Sequence, residues 1–303
     1  MKKVVSVSLG SSKRDHEVQV SILGEEFSIA RRGTDGNFEA ALKLLAELDG
    51  EVDAIGLGGI DLYLYSLKNR YVIKDAIRMK DAVKKTPVVD GSGLKNTLER
   101  EIIKRLAEDE RFALQGKKVL MVSGLDRFGM AQTFCEAGCR MVYGDFLFSL
   151  GLEKPLYTLE ELEHYAEKLL PLISELPFDM IYPTGKKQDK QKKTSTPFAE
   201  YYREAEIIAG DFHYIYKYMP PRIPGKIIVT NTVTKDNLRE LSERGVKYLV
   251  ATTPEFSGRS FGTNVLEGVL LTLLGKTAQE VTAEDYLKMI RELDLKPRIE
   301  ILN

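Results

Sequence analysis

Tryptophan is absent from the 303 residues, cysteine occurs twice and histidine three times. The two thiols, Cys135 and Cys139, stand one helical turn apart. That spacing builds no disulfide framework, and no further Cys or nearby His completes a zinc site. They read as small core residues of a reducing compartment. A large net charge is missing too: 44 Lys and Arg against 45 Asp and Glu leave −1, so no overall field recruits nucleic acid or an anionic membrane. No apolar run approaches the roughly 18 residues of a membrane span. The one that follows the basic start, MKKVVSVSLG, is too short for a signal peptide. Cytoplasm is therefore the expected location. Abundant Lys, Glu and Arg without Trp fit thermal adaptation.

What is present is an alternation of strand and helix patterns. Residues 119–122, Val-Leu-Met-Val, read as a buried strand. Gly124 breaks the run, Gly129 opens a helix that Gly138 closes, and Met141-Val142-Tyr143 forms the next strand, ending at Asp145. Strand, glycine turn, helix, strand and a terminal acid form the layout of a dinucleotide-binding βαβ unit. The middle place of its glycine fingerprint holds Asp126, a carboxylate where a pyrophosphate would come close. Asp145 reads either as a ribose hydroxyl acceptor or as a strand-end turn residue.

The same logic divides the chain. Strands over 3–9, 17–23, 26–31, 52–57 and 86–89, with helices over 38–48, 75–84 and 94–108, predict an N-terminal α/β substrate domain over 1–112. Strands over 178–182, 207–209, 226–230 and 246–251 alternate with helices over 159–170, 201–204 and 235–244. They extend the βαβ unit into a Rossmann-like, doubly wound parallel sheet over 113–303. An apolar helix over 261–274 follows, and an amphipathic helix over 283–293 is expected to pack back across the junction. The lysine-rich stretch from Lys186 to Lys193 reads as an exposed mobile loop.

Ligands of such sheets lie beyond the carboxyl ends of the strands, and the polar residues fall there. In DGSGLK, Asp90 precedes two glycines and a helix start, with Lys95 in the first turn; Asp61 ends GGID. A lysine beside an aspartate handles protons at a hydroxyl or carbonyl, which makes Lys95, Asp61 and Asp90 candidate catalytic residues. Asp211 and His213 form a second acid–imidazole candidate. Gly124, Asp126, Gly129, Asp145, Asn231, Thr252 and Arg259 are the candidate cofactor contacts, and no metal ligand set is present. Arg259, ahead of a helix start, has the fork shape that suits an anion.

The segments SVSLGSSKRDH, GLGGIDLYLY, TPVVDGSGLKNTLERE, SGLDRFGMA, YPTGKKQ, AGDFH, TNTVT and TTPEFSGRSFGTNV cover most of the chain. They resemble a bacterial family labelled quinate 5-dehydrogenase, of the shikimate/quinate dehydrogenase-like kind. The resemblance implies a two-domain oxidoreductase using NAD or NADP on a small hydroxy or oxo substrate. Characterised shikimate dehydrogenases carry a G-A-G-G-A turn and N-x-T-x-P-x-K and N-T-D segments, none of which stands here, so their catalytic residues are not carried over. Two other readings remain open: a transferase whose nucleotide or phosphorylated ligand is held by Arg259, Lys186 and Lys187, and a non-catalytic small-molecule-binding protein. The expected partner is a small molecule, not nucleic acid or membrane, and a homodimer is left open.

Overall fold

The computed structural model describes residues 1–181, 197–253 and 262–303, with the backbone of 255–256 and 259–260. Arg259's side chain and the Lys186–Lys193 stretch lie outside the described residues.

The first sheet is built from β1 (Lys2–Ser8), β2 (His16–Ile22), β3 (Glu25–Gly33), β4 (Ala54–Gly58) and β7 (Val88–Val89). Its order is β2-β3-β1-β4-β7, parallel except for β2 at the edge. β2 alternates exposed and covered residues, as an edge strand does, and meets β3 through Leu23-Gly24. Both turn residues have positive φ (51° and 81°), the mirror-image turn whose twist matches that of paired strands. Helix α1 (Phe38–Leu48) starts where the Asn37 side chain accepts the Ala40 N–H. A hairpin, β5 (Tyr63–Tyr65) and β6 (Arg70–Val72), precedes α2 (Lys74–Asp81), and α3 (Ser92–Glu108) leaves β7 toward the second sheet.

The second sheet holds β8 (Lys118–Met121), β9 (Arg140–Tyr143), β10 (Ile207–Ala209), β11 (Ile227–Thr230), β12 (Tyr248–Ala251) and β15 (Arg298–Ile301). Its order, β15-β12-β11-β10-β8-β9, is parallel but for β15. The order reverses between β8 and β10, the switch point at which open α/β sheets form a crevice. Around it lie α4 (Phe128–Glu136), α5 (Leu159–Ile173), α6 (Phe178–Ile181), α7 (Ala199–Glu204), α8 (Phe212–Tyr218) and α9 (Lys235–Glu243). The protein is thus of the α/β class, with a Rossmann-like parallel sheet.

Three local readings change. Of residues 178–182, expected as a strand, 178–181 form the short helix α6. Pro177 presets a turn, the Asp75 carboxylate accepts the Phe178 N–H, and Phe178 stacks on Phe38 at 5.3 Å. Cys135 is exposed rather than a core residue, and both thiols are free. A π-helical turn, Asp145–Leu150, follows β9.

The longest-range feature is α10 (Thr263–Leu274). After the β13 (Glu255–Phe256) and β14 (Arg259–Ser260) pair, it leaves the second sheet and covers β1, β4 and β7 of the first. Gly268 allows the approach, since a Cβ there would stand 2.9 Å from Val4 Cγ1. Helix α11 (Ala283–Glu292) then packs on α3. The two lobes therefore exchange elements: α5 lends Ala166 and Leu170 to the first lobe's core, and Leu162 to that of the second.

Candidate functional site

A cleft of about 870 Å³ opens between the carboxyl ends of the two sheets. One side is lined from β1, β4 and their following loops, the other by the turn after β8 and the start of α8.

At its floor, Lys95 of α3 reaches Asp61 Oδ1 at 2.6 Å and Asp126 Oδ1 at 3.1 Å. Asp61 follows β4, and Asp126 follows β8, so one ammonium spans a carboxyl group from each sheet. Burial pushes Asp61 up to about 7, against the pull of Lys95 and with help from Asp126 and Asp90. Burial also works against charge on Lys95, but Asp126 and Asp61 outweigh it and hold the amine charged. Asp126 is buried yet held below the usual carboxylate range by Lys95 and Arg127. Behind them the Arg127 guanidinium pairs with Glu99, Asp211 (3.3 Å) and Asp126 (3.4 Å), with Glu99 wholly buried.

Other acids of the strand ends serve the backbone. Asp90 accepts N–H bonds from Leu62 (2.6 Å), Tyr63 (3.0 Å) and Ser92 (3.1 Å), plus the Ser92 hydroxyl at 2.6 Å. The expected catalytic acid is thus a clasp that fixes the Asp61 loop against the start of α3, with no oxygen left for chemistry. Asp211 caps α8 through the His213 N–H (2.9 Å) and accepts from Asn231 Nδ2 (2.7 Å); positive charge on His213 and Arg127, with the His213 amide, holds it down at about 2 despite burial. Asn231 is likewise spent, its Oδ1 accepting the Phe212 N–H at 3.1 Å. His213 reaches across the cleft to Arg14, Nη1 to Nε2 at 2.9 Å.

A Cβ on Gly124 would lie 2.8 Å from Leu162 Cδ2, and one on Gly129 2.8 Å from Asn96 Oδ1, so α5 and α3 pack closely against the two glycines of the turn. The start of α4 faces a gap of only about 10 Å³. Asp145 spends both oxygens on the Gly124 (3.0 Å) and Leu125 (2.9 Å) amides; it is the turn residue, not a ribose acceptor. Burial raises it to about 6. Thr252 is fully buried with an unpartnered hydroxyl and lines no part of the cleft. These corrections share one cause: a carboxylate beside a glycine turn finds amides of its own chain before it finds a ligand.

Sequence reasoning missed the cleft's upper wall, Arg14, His16, Arg31, Ser6, Ser8 and Asn264. Arg31 donates to the Ser11 carbonyl (2.9 Å), Asp15 (2.8 Å) and Ser8 Oγ (3.0 Å). The signal lay in the alternating glycines of β4: a Cβ on Gly56 would meet the Asn264 carbonyl oxygen at 2.8 Å. They let α10 in close and bring Asn264 Nδ2 to Ser6 Oγ at 2.8 Å. Among the described residues no cluster of three or more His, Cys, Asp or Glu could hold a metal, and no helix is long and apolar enough to cross a membrane.

Two α/β lobes closing on a polar cleft define the class of the molecule. The chain belongs to the family described as a domain of unknown function, DUF8754, matched over residues 93–302, and residues 3–90 match a second, DUF8753. No curated protein matches. Similar solved structures include a galactofuranose binding protein, 11% identical over 100% of this chain and 95% of that one, with a TM-score of 0.40. Others are the hetero-hexameric glutamate dehydrogenase of Thermus thermophilus (14%, 96% and 72%, 0.44) and the L-tryptophan dehydrogenase of Nostoc punctiforme (12%, 97% and 79%, 0.39). These likenesses reach no further than the class of fold.

Proposed function

We propose that this protein is an enzyme that binds a small hydroxy or oxo compound in the inter-lobe cleft and transfers a proton at one of its oxygens. The observation that carries the reading is the Lys95–Asp61 contact at 2.6 Å, a charged donor against an acid whose pKa lies near neutrality. A nicotinamide cofactor, NAD or NADP, would carry the hydride between a hydroxy and an oxo form, with this lysine–aspartate pair handling the proton.

The test is a panel of quinate, shikimate, their oxo forms and neutral polyols, scored by melting shift and then by turnover at pH 6 to 9. Binding by a hydroxy or oxo acid and turnover that drops by roughly 10²- to 10⁴-fold in Lys95→Met are expected. NADH or NADPH at millimolar concentration is expected to raise the melting temperature, and no shift with either ends the oxidoreductase reading. A Lys95→Met variant that turns substrate over at the wild-type rate ends the proposal. A second reading, a binding protein without chemistry, is favoured by Lys95 being compensated by two carboxylates; tight binding without turnover would select it.

A further inference from the structure

We propose that Asp126, the acid that intrudes in the glycine turn, is a proton-handling residue of the cleft and shares one site with Asp61 across the lobe boundary. The inference rests on the reading that the cleft is catalytic, and gives Asp126 a role other than the cofactor contact its place in the turn suggests.

The geometry is specific. The turn after β8 is held by the Asp145 clamp on the Gly124 and Leu125 amides, which fixes where residue 126 begins. Arg127 pairs with the buried Glu99, and Asp126 beside it lines the cleft. Asp126 meets the same ammonium as Asp61. Asp126 is the most open of the three, at 15% side-chain exposure against 14% for Lys95 and 10% for Asp61. Two carboxyl groups on one ammonium shift each other's titration, because both cannot ionise cheaply side by side.

The step is a proton transfer alone. The Asp126 carboxylate takes the proton of a substrate hydroxyl: that O–H bond breaks, an O–H bond forms on the carboxyl group, and a Lys95 N–H holds the oxyanion left behind. The reverse transfer returns it. Around Asp126 stand Asp61 after β4, Asp90 after β7, Lys95 and Glu99 on α3, Arg127 beside it, and Asp211, His213 and Tyr214 at the start of α8. Lys95 and Arg127 keep it ionised, while Asp211 opposes them.

The experiment compares Asp126→Asn with Asp126→Glu in the full chain, following the carboxyl carbon of Asp61 by NMR across pH and turnover with the best substrate of the panel. Asp126→Asn is expected to move the Asp61 titration downward, since a neighbouring negative charge is lost, and to lower turnover about 100-fold with ligand affinity kept within about threefold. Asp126→Glu, which keeps the charge, is expected to recover at least a tenth of wild-type turnover and to leave Asp61 near its wild-type titration. An unmoved Asp61 titration in Asp126→Asn, or turnover within threefold of wild type, overturns the inference. Should the wild type turn nothing over, the catalytic reading falls by itself, and the NMR arm alone decides whether the two acids form one site. If Asp126→Asn lacks a cooperative melt, Asp126→Glu decides: lost turnover there overturns the inference.

Discussion

At the scale of single residues, the floor of the cleft is an economy of buried charge. Arg127 and Glu99 stabilise each other only as a pair, and removing one leaves the other in a medium that cannot solvate it. Arg127→Met is expected to lower stability by about 3–5 kcal/mol, read from urea unfolding at pH 7. Asp145 holds the Gly124 and Leu125 amides, so Asp145→Ala is expected to cost about 1–3 kcal/mol by the same measurement. The single residues are also where the sequence misleads most. Asp61, Asp90, Asp126, Asp145 and Asp211 look alike in the chain, each an acid at a strand end. Whether an acid faces a ligand or clasps its own turn depends on amides of other segments, as with Leu62 and Tyr63 on Asp90, and no local pattern records that.

At the scale of elements, helix starts and buried strands were legible. Residues 119–122 carry only apolar side chains, and α1 and α9 begin at Phe38 and Lys235, where the pattern places them. Residues 178–181 were not, because Phe178-Asp179-Met180-Ile181 is too short for its pattern to separate strand from helix. Neither was the join between α10 and α3. There Glu267 accepts the Gly91 N–H at 2.6 Å and the Tyr286 hydroxyl at 2.6 Å, and burial, with Asp90 adding to it, raises its carboxyl to about 8. A raised acid binds more protons folded than unfolded, so its stabilisation is full below its unfolded pKa and fades as pH climbs toward 8. Asp61 and Asp145 have the same sign, at about 7 and about 6. Stability is therefore expected to decline from about pH 4.5 to 8.5 in denaturant titrations, and Glu267→Gln is expected to flatten the part above pH 7.

At the scale of the whole molecule, the division at residue 112 suggested by the alternation of patterns agrees with two sheets but not with two self-contained stretches of chain. A fragment of residues 1–112 lacks α10, which covers Val4 and Ala54, and α5, which brings Ala166 and Leu170. It is expected to bind a hydrophobic dye and to show poorly dispersed amide signals, whereas the full chain shows neither. The crossing was hidden because an apolar helix advertises that it is buried, not where.

The placement of α10 has a consequence during synthesis. A ribosome that has just released residue 108 has made the first sheet's strands but not the helix that seals one face of them. At about 5–20 residues per second, on the order of ten to thirty seconds pass before residue 274 emerges. Through that interval the nascent half waits with an open flank, a period in which a chaperone would find it.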